Sequence, residues 1–191
     1  MNLINIFKET LELSKKYFRT PASKYYKEYN MKIVWSNNTI DSIFAEDGHI
    51  AALNFADDKI PGGLVWQGAE TQEECLCRTS NLYSSLVEHE KDYYNDNGGL
   101  IYSKDVIFFR NSEYKLVKPK KCDIITCAAL VGVREKFERL LSKMQMIIGV
   151  ARLNGVETLI LGKWGCGAFG GDWEVYKKCW CEVIGESEID I

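Results

Sequence analysis

The densest chemistry in the chain lies in two short glycine-bearing segments. In LNFADDKIPGGLVWQGAETQEECLCRTS, Gly62, Gly63 and Gly68 lead into Thr71-Gln72-Glu73-Glu74, which sets two adjacent carboxylates at the start of a helical pattern. In LILGKWGCGAFGGDWEVYKK, Gly162, Gly165, Gly167, Gly170 and Gly171 lie between a strand and a helix. Glycine allows positive φ and close backbone approach. Eight of the 15 glycines fall in these two segments of a chain with only 3 prolines, so they read as shaped binding loops, with ordinary tight turns as the plainer account. Strand, glycine loop, then helix presents backbone N–H groups and a helix N-terminus to an anion, and a phosphate or diphosphate is the natural guest. The spacing GxxxxGK[ST] is absent. Gly165, Gly167 and Gly170 have the dinucleotide spacing but come far too late for a first Rossmann turn, which implies nucleotide chemistry without nicotinamide redox. For Thr71 to Glu74 the plainer account is a capping box, with both acids also suiting the helix dipole.

The elements that must position these loops follow from periodicity. Residues 2–18 space Leu3, Ile4, Phe7, Leu11 and Phe18 as an amphipathic helix closed by Pro21. MKIVWSNNTIDSIF and HIAALNFA read as strands around the turn Glu46-Asp47-Gly48. Residues 71–88 read as one helix, LIYSKDVIFFRN and CDIITCAAL as strands, 133–153 as the clearest helix, TLILGKW as a strand, and 172–184 as a last short helix. Strands alternate with helices, so the expected architecture is α/β, three layers (α/β/α) around a mixed, largely parallel central sheet. In such domains ligands bind in loops after the carboxyl ends of strands, where both glycine clusters fall.

With 191 residues a single domain is expected, carrying an N-terminal helical extension over about 1–30. A net charge of −3 argues against an extended nucleic-acid surface. No apolar run reaches the roughly 20 residues that span a bilayer, and a monomer is expected. Seven cysteines, an odd number without paired C-x2-C spacing, and only two histidines suggest buried or half-buried thiols in a reducing, cytoplasmic setting and no metal site. His49 and His89 read as solvated. Most tryptophans read as core, whereas Trp66, between Gly63 and Glu74, is placed to stack on a base or ribose.

The run from Leu53 to Leu86, with NFA, a proline-glycine turn, GA, QEE, LCR and S-x-LY, resembles the catalytic segment of microbial-type poly(ADP-ribose) glycohydrolases, which are macrodomains. LGKWGCGAFGGD is similar to the diphosphate loop of that family and CDIITCAA to the strand between. The resemblance spans roughly residues 50–185. It implies hydrolysis of an ADP-ribose linkage on protein, nucleic acid or another ADP-ribose, with no cofactor. It implies Glu74 as catalytic acid, Glu73 orienting the distal ribose, and Asn54 on that same ribose. Gln72 joins the binding set, Gly62 and Gly63 form the catalytic loop, and the backbone of Gly165, Cys166, Gly167, Ala168, Phe169 and Gly170 cradles the diphosphate, with Phe169 against the ribose.

Consecutive helical residues point about 100° apart, so Glu73 and Glu74 cannot flank a scissile bond as paired glycosidase carboxylates do, and one acid must suffice. That role calls for a raised pKa at Glu74, which burial and Glu73 favour and the helix N-terminus opposes. Leu64 stands where the family has a third glycine, and the short tail 186–191 suggests a shortened sheet edge. Two other readings stay open: a module that holds ADP-ribose without cleaving it, and an unrelated phosphohydrolase requiring divalent metal.

Overall fold

The computed structural model describes residues 31–90, 99–130 and 137–185; the expected helix at 2–18, the extension over 1–30 and the tail at 186–191 lie outside them. Five strands form one sheet in the order β1-β5-β2-β4-β3. They are β1 (Lys32–Trp35), β2 (Ile50–Ala56), β3 (Ile101–Arg110), β4 (Leu116–Ala128) and β5 (Thr158–Leu161). β1, β5, β2 and β4 run parallel, and β3 pairs antiparallel with β4.

Alternation along the strands feeds two cores. Ala51 and Leu53 of β2, Ile125 and Cys127 of β4, and Leu159 and Leu161 of β5 face one side. There they meet Met144, Ile147 and Ile148 of α4 (Phe137–Leu153) and Tyr176 and Trp180 of α5 (Trp173–Ile184). Ile50, Ala52, Ile124 and Ile160 face the other side. They meet Ile40 and Ile43 of α1 (Thr39–Ala45), Leu76 of α2 (Gln72–Thr79), and Leu82 and Leu86 of α3 (Leu82–Glu88). The three-layer architecture is as expected.

Four expectations change. MKIVWSNNTIDSIF is not β throughout: after β1, Asn38 accepts from the Ile40 and Asp41 N–H groups and starts α1, whose Ile40 and Ile43 share a buried face. The helix over 71–88 is two helices, because Ser80 turns extended and bridges Phe108 of β3, and its hydroxyl donates to Leu76 O and accepts from Leu82 N–H. β4 starts six residues before CDIITCAAL, at Leu116, where it extends along β3. TLILGKW stays in the sheet only to Leu161. α4 ends as the sequence implies, with Gly155 at φ 71 just past it.

Candidate active site

The loops after β1, β2 and β5 gather at the carboxyl end of the parallel strands. Past Ala52, β2 has no paired residue of β5 beside it, and Gln72 takes that place: its Oε1 accepts from Phe55 N–H at 2.8 Å and its Nε2 donates to Leu53 O at 2.8 Å. This pair of bonds fixes the start of α2 against β2. Gln72 therefore anchors the helix, and its amide is already engaged.

One residue on, Glu73 is 2% exposed. Its Oε1 accepts from Asn54 Nδ2 at 3.1 Å and its Oε2 from Asp57 N–H at 2.7 Å. Burial, with the Glu74 charge adding to it, outweighs those two donors and lifts the Glu73 carboxyl from 4.5 to about 7. The surroundings of Glu73 supply fewer donors than its burial demands. Asn54 is fully buried; its Nδ2 also donates to Thr126 Oγ1 at 3.3 Å, and its Oδ1 has no partner among the described residues.

Glu74 is 4% exposed and lies under the glycine turn. Its Oε1 accepts from Leu64 N–H at 3.0 Å, and its Oε2 accepts from the Thr71 hydroxyl. Thr71 makes no side-chain bond to the helix backbone, so the capping box is not formed; the threonine and the acid satisfy each other instead. Gly63, at φ 57, is required twice over, since a Cβ there would overlap Glu74 Oε1 and lie 3.3 Å from Glu73 Oε2. Leu64 has φ −94 and ψ 34, a conformation open to any residue, so the departure from glycine strains nothing in the backbone. The turn is held from outside by Arg78 Nη2 donating to Val65 O at 3.3 Å and by Asp57 Oδ1 accepting from Lys59 and Ile60 N–H.

The second glycine loop lies across the sheet end from this turn. A Cβ at Gly162 would stand 2.8 Å from Ser36 O and 3.0 Å from Phe55, so the loop leaves β5 in close contact with the ends of β1 and β2. Gly165 adopts φ 77, with the Tyr176 ring filling the space where its side chain would be. Gly170 N–H donates to Gly167 O and Gly171 N–H to Gly165 O, which closes the loop; the N–H groups of Gly167, Ala168 and Phe169 meet no acceptor among the described residues. These amides suit an anion. The N-terminus of α5 contributes less than the sequence suggested, because the Asp172 carboxylate already accepts from Glu174 N–H at 2.9 Å. Phe169 is half-buried against the core, and burial lifts the half-buried Cys166 thiol to about 11.

A cavity of about 300 Å³ opens where the loop after β1 meets the end of β2 and the start of α2, lined by Ser36, Asn38, Phe55, Gln72, Cys75 and Ser112 among others; neither glycine loop contributes to its lining. Ser36, Asn38 and Ser112 escaped the sequence reading; the one signal was the polar run SNN ending β1. His49 is another correction. It does not sit free in solvent: its Nε2 lies 2.7 Å from Oδ2 of buried Asp123, at the far end of the sheet. His89 is exposed, Trp164 and Trp180 are core, and Trp66 is 81% exposed. All seven thiols are free, four buried and three half-buried. Among the described residues no three metal-capable side chains converge, and no helix is long and apolar enough to cross a membrane.

Residues 8–111, just over half of the chain, match the family described as Microbial-type PARG, catalytic domain. The chain belongs to that family. Its fold is that of solved family members. Poly(ADP-ribose) glycohydrolase from Thermomonospora curvata superposes with a TM-score of 0.68 at 30% identity, covering 79% of this chain and 63% of that one. The same protein bound to the inhibitor ADP-HPD gives 0.68 at 29%, over 80% and 66%. Poly(ADP-ribose) glycohydrolase from Deinococcus radiodurans in complex with ADP-ribose gives 0.73 at 27%, over 87% and 77%. The chain thus spans slightly less than two thirds of the Thermomonospora protein's length. Comparison with curated protein sequences gives no match.

Proposed function

We propose that this chain is a metal-independent ADP-ribosyl glycohydrolase in which Glu74 is the acid and base. The observation that carries the reading is Glu74 seated directly beneath Gly63, in a turn where a side chain would exclude its carboxylate, at the same end of the sheet as a second loop whose Gly167, Ala168 and Phe169 amides meet no acceptor among the described residues. Solved family members holding ADP-ribose or ADP-HPD support the ligand class.

In this reading the N–H groups of Gly167, Ala168 and Phe169 hold the diphosphate, which explains how a chain of net charge −3 takes a phosphate ligand without a basic patch. The Oδ1 of Asn54, without a partner among the described residues, and the carboxyl of Glu73 face the distal ribose hydroxyls. The scissile bond joins the anomeric carbon to the leaving oxygen. As it breaks, Glu74 gives its proton to that oxygen; Glu74 then takes a proton from water, whose hydroxyl goes to the anomeric carbon. The positive charge developing on the ring is met by the diphosphate.

Glu74→Gln is expected to keep ADP-ribose affinity within a few-fold while hydrolysis of ADP-ribosylated substrate falls about 1,000-fold, measured as ADP-ribose release. Unchanged turnover sinks the assignment. Binding without product from the unaltered chain establishes the non-catalytic module instead, and activity abolished by EDTA the metal-dependent phosphohydrolase.

A further inference from the structure

Trp66 is 81% exposed, and Ile60 at 47% and Leu64 at 44% join it on the same turn. Three exposed apolar side chains within seven residues, on the turn that covers Glu74, contrast with the buried cores on both sheet faces. Trp66 does not dangle. Its Nε1 donates to Tyr83 Oη at 2.8 Å, and Tyr83 meets it edge-on, with ring centroids 5.8 Å apart and planes at 80°. The polar handle of the indole is thereby used on protein, and its orientation is set.

Tyr83 in turn packs on Gly62, where a Cβ would lie 2.7 Å from its ring. Gly62 precedes the glycine that covers Glu74, and the Leu64 amide bonds Glu74 itself. Two residues of backbone, at most about 7 Å, separate that amide from Trp66, a span shorter than a nucleoside. An oriented indole two residues along the turn from the amide that bonds Glu74 fits a flat, π-faced group on the leaving side of the bond.

We infer that Trp66 forms a subsite for the leaving nucleoside, stacking on the adenine of the next ADP-ribose unit in a poly(ADP-ribose) chain. This rests on the glycohydrolase reading of Glu74. A protein acceptor has no aromatic group at a fixed distance from the cleaved oxygen. An extended nucleic acid needs a basic surface, which a chain of net charge −3 does not favour. The adenosine that departs from poly(ADP-ribose) carries its base one ribose away from that oxygen. Leu64 and Ile60 shield the stacked base from water.

The test compares di(ADP-ribose) with ADP-ribose by calorimetry in the Glu74→Gln background, which prevents cleavage. The dimer is expected to bind about tenfold more tightly than the monomer, the size of one base–aromatic stack. Trp66→Ala is expected to abolish that gain with monomer affinity unchanged, and Trp66→Phe to keep most of it. A dimer no tighter than the monomer, or a Trp66→Ala loss equal for both ligands, overturns the subsite. Should Glu74→Gln fail to fold, the same comparison is read with Trp66 altered alone. kcat/KM is then expected to fall about tenfold on di(ADP-ribose) and to stay within twofold on an ADP-ribosylserine peptide, and equal losses overturn the subsite. Absence of any turnover by the unaltered chain, with a Trp66-dependent dimer preference intact, overturns the glycohydrolase reading alone.

Discussion

Two carboxyl groups at opposite ends of the same sheet are buried almost equally, Glu73 at 2% exposed and Asp123 at 3%, yet their surroundings push them in opposite directions. At Asp123 burial alone would raise the pKa. The Tyr102 hydroxyl, the Asp105 N–H at 2.7 Å and the His49 ring at 2.7 Å outweigh it and hold the group below its ordinary 3.8. At Glu73 burial meets two donors rather than three, and the charge of Glu74 next to it works with burial, so the group rises to about 7. Both are shielded from water, but Glu73 lies deeper among protein atoms; that depth, the donor count and the sign of the neighbouring charge together decide. The amino end of the sheet uses its acid to tie β2, β3 and β4 together, including the bulge where Asp105 takes φ 55. The carboxyl end keeps its acid poised near neutrality, next to Glu74, where chemistry is proposed.

The largest expected effect breaks the structural member of this pair. Asp123→Ala leaves the Tyr102 hydroxyl, the Asp105 N–H and the His49 ring without their acceptor. It is expected to lower stability by about 4 kcal/mol, measured by urea unfolding at pH 7. ADP-ribose release by the folded fraction should be unchanged, since the cluster lies at the far end of the strands. The pH dependence follows from the direction of the shift. A carboxyl held lower in the folded chain than in the unfolded one stabilises above its ordinary value, and that contribution disappears as pH falls through the folded pKa. The unaltered chain should therefore lose stability below about pH 4, and Asp123→Ala should lose less there.

The second effect concerns Glu73 and has the opposite sign. Its folded pKa is raised, so the folded chain holds the proton more tightly. Stability from this group is full below 4.5, falls as pH rises, and levels off above about 7. Across that window the loss approaches about 3 kcal/mol. Glu73→Gln removes it: the variant should match the unaltered chain near pH 4.5 and exceed it by up to about 3 kcal/mol at pH 8. The amide fits, because Asn54 Oδ1 has no partner among the described residues and can accept from it. A stability difference that does not grow with pH refutes the assignment of the raised acid to Glu73.

How much of this contrast the sequence carried depends on how local each feature is. The two glycine clusters, the Glu73-Glu74 pair and the long helix through Met144, Ile147 and Ile148 rest on spacing within a few residues, and all were legible. Thr39–Ala45 was misread because a segment with Ile33, Val34, Thr39, Ile40 and Ile43 has strand composition; only Asn38 as a cap and the three-residue spacing of Ile40 and Ile43 distinguish it. The break at Ser80 depends on Phe108 of a distant strand, and His49, Tyr102 and Asp123 meet only through the sheet. Which partners each of the two adjacent acids meets was beyond reach for the same reason. Asn54 reaches Glu73 from β2 and Leu64 reaches Glu74 from the turn, and neither bond exists until α2 docks.

The smallest effect tests whether donor count is the deciding variable. Tyr102→Phe keeps the ring and removes one of three donors to Asp123. Burial and the Asp123 charge push the Tyr102 hydroxyl up, so at neutral pH it remains protonated and donating. Losing a bond to a charged acceptor is expected to cost about 2 kcal/mol at pH 7. The deficit should shrink as pH falls below about 4, because a protonated Asp123 takes less from that donor than the carboxylate does. With Asp105 N–H and His49 remaining, Asp123 then has two donors, as Glu73 has, but no acid beside it comparable to Glu74. If the acid limit of stability in Tyr102→Phe moves only slightly upward, the deeper burial of Glu73 and the charge of Glu74 account for more of the contrast between the two ends. If it moves by a unit or more, the third donor does.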